Sequence, residues 1–128
     1  MCLYTDNHRP KVAKKPIKVW KRLIETDNGF ETPFRHVEIK VGESLKGLNP
    51  NAEAQENIFA PDFFSEYIVD IQAVHAYKTK YDAEFWKEYG EIITEWEIPA
   101  GAKYWVGSEY SKGEIAATEM KFINVCED

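Results

Sequence analysis

The chain has 128 residues, 44% hydrophobic and 30% charged, a size that fits one domain with one substantial core. A formal net charge of −6 argues against non-specific nucleic-acid binding, which needs clustered Lys and Arg to displace counterions. No apolar run is long enough to cross a bilayer, and the basic N-terminal residues lead into no apolar stretch, so neither membrane insertion nor export is expected.

Cys2 and Cys126 stand near opposite ends and form no CxxC, and His8, His36 and His75 have no metal-ligand spacing, so no metal site and no disulfide framework are indicated. Both thiols are expected to be reduced in a cytoplasmic setting. Removal of Met1 would leave Cys2 as an N-terminal thiol, but no nucleophile motif follows it.

Residues 1–16 are polar, carry two prolines and open the basic stretch that runs through Arg9, Lys11, Lys14, Lys15 and Lys18 to Arg22. They read as a mobile basic arm in front of a single α+β domain over residues 17–128. From Ile17 to Ile24, Val19 and Leu23 fall on one side and Trp20 and Ile24 on the other, as in a central strand covered on both faces. Thr26 to Gly29 supply turn residues, and Phe34 to Val41 alternate as a half-buried strand. Residues 43–62 have little periodicity and read as a long loop with one helical turn near Ala52 to Asn57.

Tyr67 to Tyr77 reads as one strand with Val69, Ile71, Ala73, His75 and Tyr77 on a core-directed face. The capping box Thr79 to Asp82 then opens a helix predicted to run to about Tyr89, with Tyr81, Phe85 and Tyr89 at helical spacing and Gly90 as its stop. Ile92 to Ile98 alternates again. Pro99-Ala100-Gly101 turns the chain into a strand from Ala102 to Val106, and further strand patterns fill Glu114 to Val125. The architecture expected is a curved, mostly antiparallel sheet with one or two packed helices.

Tyr104 and Trp105 point to opposite faces of one strand, which makes an exposed ring, and hence a binding contact, an expectation at this pair. Asp82, Glu84, Glu88 and Glu91 read as capping and solvated-face charges. No nucleophile and base pair, phosphate loop or metal motif is present at specific spacing. The function expected is therefore a non-catalytic interaction module without a cofactor, using an aromatic-rich sheet face and the 43–66 loop to grip a protein or small ligand.

Two resemblances add to this. The blocks Val74-His75-Ala76-Tyr77-Lys78-Thr79 and Ile98-Pro99-Ala100-Gly101-Ala102-Lys103-Tyr104, with Glu114-Ile115, resemble a set of small uncharacterised proteins of gut bacteria and their phages, which implies no activity. The order of Arg22 on a first strand, Tyr77 before a helix and Glu114 on a late strand is similar, at the level of the fold, to ADP-ribosyltransferases. That likeness implies NAD as the ligand and Arg22, His75, Tyr77 and Glu114 as candidate site residues. The chain departs from it in lacking a Ser-Thr-Ser middle strand and in carrying Lys112 two positions before Glu114.

Overall fold

The computed structural model describes residues 3–6, 9–33, 36–47, 54–56, 67–69 and 73–126. Its strands are β1 (Leu3–Thr5), β2 (Lys11–Val12), β3 (Ile17–Thr26), β4 (Gly29–Glu31), β5 (Glu38–Ile39), β6 (Ser44–Lys46), β7 (Gln55–Glu56), β8 (Tyr67–Val69) and β9 (Val74–Tyr77). A short helix α1 (Lys80–Phe85) follows, then β10 (Glu91–Ile98), β11 (Lys103–Val106), a 3-10 turn (Glu109–Ser111), β12 (Glu114–Ala117) and β13 (Glu119–Val125).

The main sheet runs β2-β11-β12-β9-β3-β10-β13-β6, with β4 on β3 and β5 on β4; a smaller sheet runs β1-β8-β7. Every described pairing is antiparallel. The central position expected of the first long strand holds. β10 takes one edge of β3 along Ile17 to Ile24, while β9 at Trp20 and β4 at Ile24 to Thr26 share the other.

Thr118 alone separates β12 from β13, although β9, β3 and β10 lie between them in the sheet. Two peptide steps reach about 7 Å, whereas four strand spacings of about 4.8 Å on a flat sheet come to roughly 19 Å. The sheet must therefore curl, and the register shift between Glu95 and Trp96 on β10 is the kind of bulge that increases strand twist. One core fills the concave face. It joins Ala13 beside β2 to Leu45 on β6, at opposite ends of the strand order, through Val19, Leu23, Trp96, Phe122 and Met120. The Trp96 and Phe122 rings stack there with centroids 5.0 Å apart.

Several expectations are corrected. The described part of residues 1–16 is not a free arm: Leu3 and Thr5 are fully buried, β1 pairs with β8, and β2 pairs with β11. Short apolar residues among polar ones were enough to recruit this segment to two edges. Tyr67 to Tyr77 is not one strand, since β8 and β9 belong to different sheets. Of the strand expected over Phe34 to Val41, residues 34–35 lie outside the described residues, Glu38–Ile39 is strand, and His36 adopts φ 51° just before it. Gln55–Glu56 is strand where a helical turn was expected, and most of the 43–66 loop lies outside the described residues. Among the described residues the helices are α1 and the 3-10 turn.

Gly107 closes β11 against that turn. A Cβ there would meet the Ser111 carbonyl oxygen at 2.0 Å, and Ser111 in turn accepts the Tyr4 amide through its hydroxyl at 2.9 Å. Gly107→Ala is expected to destabilise the fold by about 1–3 kcal/mol, as forced overpacking does, measured as a lowered denaturant midpoint at unchanged slope.

Candidate functional site

Side chains alternate along β3, so Val19, Lys21 and Leu23 enter the concave core while Trp20 and Arg22 point to the opposite, convex face. Trp20 pairs in register with Tyr77, and Tyr77 pairs with Glu114. These pairings bring Arg22, Tyr77 and Glu114 together on the convex face, with the Arg22 guanidinium 5.8 Å from the centre of the Tyr77 ring. His75 shares that face two residues earlier and is half-buried, not directed into the main core; its backbone carbonyl accepts from Lys21 Nζ.

Arg22 is engaged by structure on its other side. It donates to the Trp86 carbonyl at 2.6 Å and to Glu91 Oε1 at 3.0 Å, and the same Glu91 oxygen accepts the Glu88 amide at 2.7 Å. The Arg22 and Glu91 side chains are only 12% and 5% exposed. The pair thus fastens the turn that follows α1 through the Nη1 donors of the guanidinium. Glu91, expected on a solvated face, is buried instead. The signal available for it was Ile93, an apolar residue on the same side of β10, which required that side to be covered as well.

Burial raises the Tyr77 phenol above its ordinary value, with Arg22 pulling the other way. Burial likewise raises the Glu114 carboxyl, opposed by a hydrogen bond from Ser111 and by the Arg22 charge. Cys126, a free thiol packed at the edge of the same cluster, is raised by burial; Cys2 lies outside the described residues.

Above this cluster sits α1. Thr79 is its N-cap as expected: the hydroxyl accepts the Asp82 amide at 3.1 Å and donates to Asp82 Oδ2 at 2.6 Å. The Asp82 carboxylate packs directly on Gly113, which has φ +82° and no room for a Cβ. The helix stops at Phe85, however, with Trp86 as its C-cap, and Gly90 at φ +86° serves the later turn that closes through the Glu91 amide on the Glu88 carbonyl. Its only buried residue is Ala83, which lets the backbone lie close to Tyr77 and Ile93.

The aromatic residues at helical spacing lie on the outside. Tyr81 is 72% exposed, Phe85 68%, Trp86 55% and Tyr89 107%. Phe85 and Trp86 meet edge to face at 5.2 Å. A helical period tells which residues share a face but not which face turns inward; the small Ala83, in phase with the capped end, was the cue.

Trp105 is not a surface contact. It is 1% exposed, packed with Leu3, Ala54, Val69, Ala73 and Ala116 beneath the small sheet, and its indole nitrogen finds no hydrogen-bond partner among the described residues. Tyr104 lies half-buried against the main core on the other face. Among the described residues, no group of three His, Cys, Asp or Glu side chains could hold a metal ion, and no helix is long and apolar enough to cross a membrane. No protein-family model, curated protein or solved structure matches the chain.

Two outcomes follow from the cluster. Arg22→Met leaves Glu91 buried and unpaired and is expected to cost about 3–5 kcal/mol, while the double change Arg22→Met/Glu91→Leu recovers most of it; urea denaturation of both variants checks this. For Glu114, the unfolded carboxyl loses its proton near 4.5 and the folded one only at higher pH. The folded state then binds more protons, so the contribution of this group to stability falls as pH rises through that window. Glu114→Gln, which imitates the protonated acid, is expected to gain stability relative to the parent as pH rises above 4.5 and to converge with it below, in denaturation curves across pH.

Proposed function

We propose that this chain is a non-catalytic interaction module whose contact surface is the aromatic platform of α1 and the turn after it. The observation that carries this is the outward placement of Tyr81, Phe85, Trp86 and Tyr89 within nine consecutive residues, while Trp96, Trp105 and Phe122 among the described residues are fully buried. Contiguous exposed aromatics mark contact sites, because such rings bring large area at low entropic cost. The platform replaces Trp105 as the proposed gripping surface, and most of the 43–66 loop lies outside the described residues.

The test is selection of a random peptide library on the folded protein, counter-selected on the double variant Phe85→Ser/Trp86→Ser. Enriched peptides that bind the parent and quench its tryptophan fluorescence but do not bind the variant are expected. Failure to enrich any, or equal binding to both proteins, overturns the proposal. The rings are exposed, so the variant is expected to melt close to the parent, the usual result for surface changes.

A second reading, a divergent or degenerate ADP-ribosyltransferase-like enzyme using NAD, draws on the convergence of Arg22, Tyr77 and Glu114. Against it stand the two hydrogen bonds that already occupy Arg22 and the burial of Tyr77. Positioning supplies roughly 7–11 kcal/mol in well-organised sites, and the Arg22 Nη1 donors are spent on the turn after α1. Incubation with labelled dinucleotide is expected to give neither label transfer nor nicotinamide release. Activity in the parent that disappears in Glu114→Gln would make Glu114 catalytic and reverse the choice.

A further inference from the structure

We propose that the outer edge of β2 docks an acidic, extended peptide segment, which adds to the main sheet as a further strand beside Val12. β2 is the last strand at its end of that sheet. The direction of its backbone groups follows from the bonds around it. Ala13 donates to the Ala102 carbonyl at 2.9 Å and accepts the Gly101 amide at 2.7 Å, so both of its backbone groups point toward the β11 side. Lys103, the register partner of Val12, sends its own amide and carbonyl the other way, to Thr118. Val12 and Lys103 therefore form the non-hydrogen-bonded kind of antiparallel pair, in which the Val12 amide and carbonyl face outward. Val12 is 56% exposed, and among the described residues nothing bonds to either group.

A free edge of this kind is a template for another main chain, which supplies the missing donor and acceptor. Other edges are closed. The edge of β1 bonds through Tyr4 to Ser108 and Ser111, and the Lys40 amide just past β5 is taken by the Glu43 carboxylate at 2.8 Å. Pro10, two residues before Val12, has no N–H to give, which keeps the pairing on β2 short.

Charge selects the strand. Lys11 lies on the edge itself, Arg9, Lys14 and Lys15 flank it, and all four are exposed. Lys103 stands across from Val12 on the same face. Among the described residues none of these cations is in an ion pair, whereas Lys18, just beyond them, is held by Glu95 at 3.1 Å. Arg9, Lys14 and Lys15 are two or three residues from Val12, about 7–11 Å along an extended chain. That is about the reach of a charge at physiological salt, so the attraction does not depend on which way each flexible side chain turns. In a chain of net charge −6 the edge is a local excess of the opposite sign, which repels a like edge and attracts an acidic one. Nucleic acid and anionic lipid would meet the charge but offer Val12 no alternating main-chain donor and acceptor, and the peptide meets both.

Fluorescence anisotropy tests this with a labelled peptide alternating Glu and Val, beside its Lys and Val counterpart and a copy of the Glu peptide with every amide N-methylated. The Glu peptide is expected to bind, less tightly as salt rises, and to slow hydrogen exchange at the Val12 amide; the other two are expected not to bind. Val12→Pro removes one outward N–H and no charge, and is expected to weaken binding about tenfold, the upper worth of one backbone hydrogen bond. Lys11→Glu/Lys14→Glu is expected to abolish binding, and it decides together with the Val12 amide exchange should Val12→Pro fail to fold. No binding, equal binding of the N-methylated copy, an unprotected Val12 amide in the complex, or tighter binding of single-stranded DNA or phosphatidylserine vesicles overturns the proposal. Phe85→Ser/Trp86→Ser is expected to bind the Glu peptide as the parent does. Loss of binding there would move the site to the aromatic platform and overturn its assignment to β2.

Discussion

The bend at Thr118 is the constraint on which the rest of the molecule depends. The residue joins two strands that lie on opposite halves of the main sheet, and its backbone ties those halves together: its amide donates to the Lys103 carbonyl and its own carbonyl accepts the Gly47 amide. The Thr118 hydroxyl adds an acceptor for the Lys103 amide at 3.2 Å. β11 and the end of β6 are thereby fixed to one point, which a flat sheet would not allow. Curling follows, and with it a concave face deep enough to take Trp96 and Phe122 side by side.

A sheet so curled has a convex back that cannot all face water, because β3 and β10 are apolar on both sides. Two small covers divide it. The β1-β8-β7 sheet closes over Trp105 and Ala116, held by the Thr5 hydroxyl on the Val106 carbonyl and by the backbone of Tyr4 on Ser108 and Ser111. The helix α1 closes over Tyr77 and Ile93 with Ala83. Between them runs the polar row of Arg22, Tyr77 and Glu114. Arg22 is the member of that row that reaches the turn after the helix, through the Trp86 carbonyl and Glu91.

How much of this was legible in the sequence depends on which signal each segment carried. Period-2 alternation located β3, β10, β11 and the β12 and β13 run, and the two-sided pattern of Val19 and Leu23 against Trp20 and Ile24 placed β3 at the centre. The capping box located the start of α1 to the residue. What the pattern could not carry was partner choice. Leu3 and Thr5 are buried only because β8 lies beside them, and the division of Tyr67 to Tyr77 between two sheets has no local signature in a run of alternating apolar residues. Arg22, Tyr77 and Glu114 were named from their order along the chain and do meet. The engagement of Arg22 with Glu91 and the Trp86 carbonyl depends on where α1 ends, which aromatic spacing misjudged.

That misjudged end bears most on function. Continuing α1 to Tyr89 would add a turn whose inward residues must pack on β3 and β10, yet the space there is already taken by Arg22 and Glu91. Fully burying one aromatic side chain is worth about 1.5–3 kcal/mol, and removing one partner of the buried ion pair would cost about as much or more, so the chain keeps the pair and turns the rings outward. Tyr81, Phe85, Trp86 and Tyr89 are then exposed as a consequence of what lies beneath them. Their exposure is uncompensated within the monomer, and the rigid turn that the ion pair creates gives them a fixed arrangement in which to meet a partner. The same two buried charges that exclude the aromatics from the core thus set the geometry of the surface on which those aromatics lie.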